Sequence, residues 1–216
     1  MAITRSENGG SHLKIVRLIH GFNERRSGLV STDTLQPYFE AGGFSVIQDD
    51  YGWLGIVGVH VANRPLAHML AEDTKWLVNE LPSFAGLQSV EVYGVAHSNG
   101  SVIIQQACEY GAPFKQIALI NAALDSDAKF APQVERIHVF HTAWDIPTRI
   151  AAFIPLSRWG AMGAIGYRGP DKRVWNYDMN KLFPHAVKRH TAVFKNPENR
   201  KVLGEALVSL FGIVKS

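Results

Sequence analysis

The residues best placed to do chemistry lie in one segment, Glu91-Val92-Tyr93-Gly94-Val95-Ala96-His97-Ser98-Asn99-Gly100-Ser101. A β-rich run ends in small-x-Ser-x-Gly, and an apolar helical pattern with Val102, Ile103, Ala107 and Cys108 follows at once. In that context the spacing marks a nucleophilic serine raised on a sharp strand-to-helix turn. The positions two before and two after such a serine are crowded, so both must be small. Gly100 meets this requirement, and Ala96 meets it with one methyl more than the usual glycine. The turn aims a helix N-terminus at the reaction centre, where free N–H groups and the positive dipole end stabilise an oxyanion. A serine there is also a favoured helix N-cap, so the turn alone leaves both roles open for Ser98.

A second segment, Ile15-Val16-Arg17-Leu18-Ile19-His20-Gly21-Phe22-Asn23, is a strand ending in His-Gly-aromatic. It is similar to the oxyanion loop of lipases and esterases, and together the two segments resemble the α/β-hydrolase superfamily from Leu13 to the C-terminus. The resemblance implies an oxyanion hole built from the backbone N–H groups of Phe22 and Asn99. It leaves His20 a structural role, tying the loop by hydrogen bonding.

The superfamily's chain order is Ser, acid, His. Arg136-Ile137-His138-Val139-Phe140-His141-Thr142-Ala143-Trp144-Asp145-Ile146-Pro147 reads as apolar strand, short turn and aspartate. The resemblance therefore points to Asp145 as the acid, with Asp125 and Asp127, after the preceding strand, as competing positions. Trp144, Ile146 and Pro147 suggest a more enclosed aspartate than a solvated turn would give. The base must follow the acid, which leaves His185 and His190. His190-Thr191-Ala192-Val193-Phe194, just before the final helix, matches the family's His-small-x-x-aromatic segment, so His190 is the expected base. Its imidazole would take the Ser98 proton while Asp145 fixes the tautomer. Of the nine histidines, His12, His60, His68, His138 and His141 are assigned to core or surface.

These residues need a scaffold, and the chain supplies short apolar runs alternating with helical patterns. That alternation predicts an α/β fold with a mostly parallel central sheet and helices on both faces, a three-layer αβα arrangement. Strands are expected at Leu13–Ile19, Phe44–Gln48, Ser89–Val95, Gln116–Asn121, Arg136–His141 and Arg173–Tyr177. Helices are expected at Ser31–Ala41, stopped by Gly42-Gly43, and at Asn99–Tyr110. Another should open at Asn63 and Pro65, with Leu66, Met69, Leu70, Trp76, Leu77 and Leu81 on one stripe. The last starts at Asn196-Pro197-Glu198 and turns Val202, Leu203, Ala206, Leu207, Leu210 and Phe211 inward. No repeat or linker divides residues 1–216, so one domain is expected, with 1–12 as a flexible tail.

Composition narrows the function further. Apolar residues are 46% and charged residues 19% of 216, ordinary for a globular chain able to bury its own core. The formal net charge of +3 is spread over short pairs such as Lys172-Arg173, which argues against a nucleic-acid partner. Cys108 alone cannot form an intramolecular disulfide and fits a reducing compartment. No signal-peptide pattern or long apolar run is visible, so a cytoplasmic location without a membrane span is expected. The sequence has no His-Glu-x-x-His, no Cys pair, no dinucleotide fingerprint and no Walker loop, so neither metal nor organic cofactor is implied. The resemblance implies a serine esterase or lipase-like hydrolase acting on a small ester or acyl substrate through an acyl-enzyme. Thioester, acyl-transfer or peptide chemistry on the same machinery stays open, as does a non-catalytic module on the fold. Residues 147–170 read as a covering helix plus turn, or as a flap over an acyl pocket. Arg25 and Arg26 read as solvated charges, or as contacts to an anionic substrate.

Overall fold

The computed structural model describes residues 4–5, 11–21, 30–50, 56–151 and 159–212. In chain order the elements are β1 (Thr4–Arg5), β2 (Ser11–Ile19), a 3-10 turn (Thr32–Leu35), α1 (Gln36–Ala41), β3 (Ser45–Asp49), α2 (Ile56–Asn79) and α3 (Leu81–Ala85). Then come β4 (Ser89–His97), α4 (Gly100–Glu109), β5 (Phe114–Ile120), β6 (Arg136–His141), α5 (Ile146–Ala151) and α6 (Met162–Ile165). The chain continues through β7 (Val174–Asp178), α7 (Met179–Leu182), α8 (Ala192–Lys195) and α9 (Pro197–Gly212).

Six strands run parallel in the order β3-β2-β4-β5-β6-β7, and β1 pairs antiparallel with the start of β2 through Thr4–His12 and Arg5–Ser11. Part of the segment expected as a loose tail is therefore strand. The period of two along each strand sends alternate side chains to opposite faces. On one face Leu13, Ile15, Val92, Ile117, Leu119 and Val139 pack with Ala67 and Leu70 of α2 and Ile104 of α4. On the other, Val16, Leu18, Tyr93, Val95 and Phe140 pack with Phe39 of α1 and Leu203, Leu207 and Phe211 of α9. The chain leaves β2 for β3 on one side and returns to β4 on the other, so the order reverses at β2/β4. Ligands of open α/β sheets bind at such a switch, beyond the carboxyl ends of the strands.

Two details differ from expectation. The long helix begins at Ile56, so Pro65 lies inside it rather than at its first turn. Proline lacks an N–H and costs the helix one internal bond, which a helix held by tertiary packing tolerates. Its buried stripe is Asn63, Ala67, Leu70, Ala71 and Thr74, while Met69 and Trp76 face solvent. Small and polar residues let α2 lie close to its neighbours, and a search for large apolar side chains overlooks them. Thr74 also accepts from buried Arg17 of β2 at 3.0 Å, and Arg17 pairs with Asp49 at the end of β3. Burial pushes the Asp49 carboxyl up, opposed by the Arg17 guanidinium. Among the described residues no helix is long and apolar enough to cross a membrane.

Candidate active site

Ser98 stands between β4 and α4 with φ at 53°, one of two non-glycine residues at positive φ among the described residues. That backbone is strained for a side chain bearing Cβ, and the surroundings hold it in place. Ser98 N–H donates to Ile120 O at 3.1 Å, while Ser98 O accepts from Ser101 N at 3.0 Å and Ala123 N at 3.2 Å. Gly100 is required by a close approach of backbone: a Cβ there would meet His20 O at 2.5 Å and Ile19 O at 2.7 Å. The helix start is thus pressed against the end of β2, the strand that leads into the His-Gly-Phe loop. Between strand β4 and helix α4, Gly94 is also crowded, since a Cβ there would collide with Ile104, and Ala96 is fully buried.

Asp145 is fully buried in the turn after β6, and its carboxylate accepts from His190 Nδ1 at 2.8 and 3.0 Å. With Nδ1 donating, Nε2 is the basic nitrogen of the neutral ring. Thr148 N also donates to Asp145 Oδ1, at 3.3 Å. Trp144 does not enclose this aspartate, since it is 57% exposed. Enclosure comes from Gly163, where a Cβ would lie 2.8 Å from Asp145 Oδ2 and 2.6 Å from the Asn121 carbonyl carbon. Asn180 ties the acid turn to the chain leading to His190. Its Nδ2 donates to Thr142 Oγ1 at 2.6 Å, Thr142 Oγ1 donates to Val187 O at 2.7 Å, and Val187 N donates to Asn180 Oδ1 at 2.8 Å.

The segment carrying His190 is held from the ends of β4 and β5 as well. His190 O accepts from Asn121 Nδ2 at 2.6 Å and lies 3.2 Å from His97 Nε2. The His97 and His190 rings are 4.6 Å apart, and Phe194 meets His97 edge-on at 5.1 Å. His190 is thus bonded to Asp145 beyond the end of β6, and its segment packs on His97, the residue before Ser98. No hydrogen bond joins Ser98 Oγ to the His190 ring among the described residues.

The competing positions lie elsewhere. Asp125 and Asp127 are exposed, and His185 pairs with Glu198 at 2.7 Å on the surface. His138 is buried between Gln116 Oε1 and the Tyr177 hydroxyl, and burial pushes its pKa down to about 4. His20 Nδ1 is 2.8 Å from Gly21 O. Asn99 is the N-cap of α4, and Asn99 N–H makes no hydrogen bond among the described residues, as befits a donor at a helix start. Phe22, the other expected donor, lies outside the described residues, as do Arg25 and Arg26. In the segment 147–170, helices α5 and α6 are present and 152–158 lie outside the described residues.

Sequence reasoning missed His97, Asn121, Asn180 and Gly163. Only His97 and Asn121 carried a signal, His97 as the last residue of buried β4 and Asn121 as the first after buried β5. The sequence matches no protein-family model and no curated protein. Solved structures do match. A protein described as a hydrolase of the α/β superfamily from Xanthomonas campestris pv. campestris shares 16% identity at TM-score 0.50, over 91% of this chain and 98% of that one. The Francisella virulence factor BioJ gives 13% identity and TM-score 0.57 over 97% and 83%. Lipase B from Aspergillus fumigatus gives 13% and 0.54; the match covers 95% of this chain but 56% of the lipase. With the parallel sheet and its reversal at β2/β4, these likenesses identify the chain as a protein of the α/β-hydrolase fold.

Proposed function

We propose that this chain is a serine hydrolase that cleaves small carboxylic esters, with Ser98 as nucleophile, His190 as base and Asp145 as its orienting acid. The observation that carries the reading is the strained Ser98 backbone at the β4–α4 junction, next in the chain to His97, whose ring lies 4.6 Å from an imidazole with Nδ1 bound to a buried carboxylate. Strain of this kind clusters at functional sites, where it is part of the mechanism.

His190 Nε2 takes the hydroxyl proton as Ser98 Oγ bonds to the ester carbonyl carbon. The resulting oxyanion receives hydrogen bonds from Asn99 N–H and Phe22 N–H. Its collapse breaks the bond to the alkoxy oxygen, which leaves with the proton held by His190. Water then attacks the acyl-serine by the same route in reverse, giving the acid and restoring Ser98. Asp145 stays ionised throughout and stabilises the imidazolium.

A panel of p-nitrophenyl esters, thioesters and anilides tests the reading. Turnover of short esters, lost in Ser98→Ala, supports it. Turnover confined to thioesters or anilides would move the assignment to those substrates, and inertness toward all three would remove the enzymatic reading.

A further inference from the structure

Asn63 of α2, Asn99 and Trp159 form a buried polar triangle against the nucleophile turn. Asn63 Nδ2 donates to Asn99 Oδ1 at 3.0 Å, Asn99 Nδ2 donates to Asn63 Oδ1 at 3.0 Å, and Trp159 Nε1 donates to Asn99 Oδ1 at 2.9 Å. All three side chains are at least nine-tenths buried. Asn99 stands where a side chain would cap α4, yet it makes no capping bond and is committed to these two partners. The partners come from distant elements. Asn63 belongs to a helix of 24 residues, and Trp159 precedes a stretch bonded to the loop after β5 through Met162 N to Leu124 O at 3.0 Å.

Packing alone does not call for this arrangement, because apolar side chains would fill the same space without needing partners. What polar partners add is direction. The Ser98–Asn99 peptide is trans, so its N–H points away from its carbonyl. That carbonyl is fixed by Ser101 N and Ala123 N. The Asn99 side chain fixes the other end of the same unit, at its Cα. With both ends held, Asn99 N–H can face only one way.

We infer that Asn63 and Trp159 are positioning residues for the oxyanion hole, acting through the Asn99 side chain to hold its backbone N–H on the developing charge. The inference rests on the serine-hydrolase reading, in which Asn99 N–H is an oxyanion donor. It also couples α2 and the chain around Trp159 to the transition state without either touching substrate.

The test compares Trp159→Phe, which removes the N–H and keeps an aromatic ring, with Asn63→Ala and the double variant. Losing a whole oxyanion donor costs about 10²–10³-fold in kcat, so misdirecting one should cost about 10–100-fold. KM should stay within about twofold, because the effect falls on the transition state. The inhibition constant of a trifluoromethyl ketone, whose adduct places an oxyanion in the hole, should rise by the factor that kcat/KM falls. The double variant should be little worse than the poorer single one, since both substitutions act at Asn99 Oδ1. Leu70→Ala, on the same helix but outside the triangle, should lower Tm and leave kcat unchanged. A rise in KM alone, an unchanged inhibition constant, or losses that multiply would overturn the inference. The Asn99 amide resonance of the 15N-labelled protein gives a readout independent of turnover. It should shift in both single variants, and an unmoved resonance would also overturn the inference. Absence of hydrolysis by the wild type would instead count against the function reading, with the amide resonance still deciding the positioning role.

Discussion

Asn121 Nδ2 donates to the carbonyl oxygen of His190 at 2.6 Å across 69 positions of sequence. Asn121 directly follows β5 at φ 47°, fully buried, beside the strand that leads to Ser98. The bond therefore fixes the His190 backbone from the end of the sheet, and in the proposed mechanism His190 is the base. Asn121→Gly keeps the positive φ and removes the donor. It should lower kcat about tenfold or more with little change in KM, since small misplacements of a reacting group are costly. Steady-state kinetics on a p-nitrophenyl ester checks this, and an unchanged kcat would contradict it.

Asp145→Asn should reduce kcat about 10⁴-fold, because the amide favours the wrong tautomer of His190. Far-ultraviolet circular dichroism should remain unchanged. Asp125→Asn, at an exposed position, should stay within about twofold of wild type. Equal losses in the two variants would move the acid away from Asp145.

Gly163→Ala should disturb the acid from the opposite side. The added methyl meets Asp145 Oδ2 at 2.8 Å and backbone atoms of Asn121 and Ala122 at 2.6 and 2.9 Å, none of them free to give way. Such overpacking costs about 1–3 kcal/mol, and here the displaced group includes the acid. Urea unfolding should show that loss, and kcat should fall with it. Full activity would mean that the Asp145 pocket is looser than its contacts imply.

The fold was largely legible because β2, β4 and β5 are buried on both faces and read as continuous apolar runs. The start of α2 was not legible, since Pro65 imitates a first-turn proline. At the candidate site, local pattern and chain order singled out Ser98, Asp145 and His190, of which Asp145 and His190 are hydrogen-bonded to each other. The groups that hold them were not, because Asn63, Asn121, Asn180 and Trp159 act through contacts between distant segments. Asparagine is also a common turn residue, so its type alone gave no signal. Gly163 was hidden for the same reason: only the approach of Asp145 explains why no side chain fits.

The pH dependence of stability should carry the signature of His138. Desolvation, aided by the Arg136 charge, lowers its folded pKa from 6.5 to about 4. Between those values the unfolded chain binds more protons than the folded one, so stability falls as pH falls through that window and is fully present above about 6.5. The shift corresponds to roughly 3 kcal/mol for a well-buried group. His138→Gln, which cannot titrate, should flatten urea-derived stability between pH 6.5 and 4. A variant as pH-sensitive as wild type would assign the effect to other groups, His141 first, whose pKa burial also lowers.

The most direct test of the account asks whether Ser98 is the reactive atom. A fluorophosphonate probe, followed by peptide mass mapping, should modify the wild type at Ser98 with about one label per chain. Ser98→Ala should keep the wild-type Tm and take no label, and His190→Ala should slow labelling by orders of magnitude. Equal labelling of wild type and Ser98→Ala, or a label on the neighbouring Ser101, would contradict the assignment on which the proposed chemistry depends.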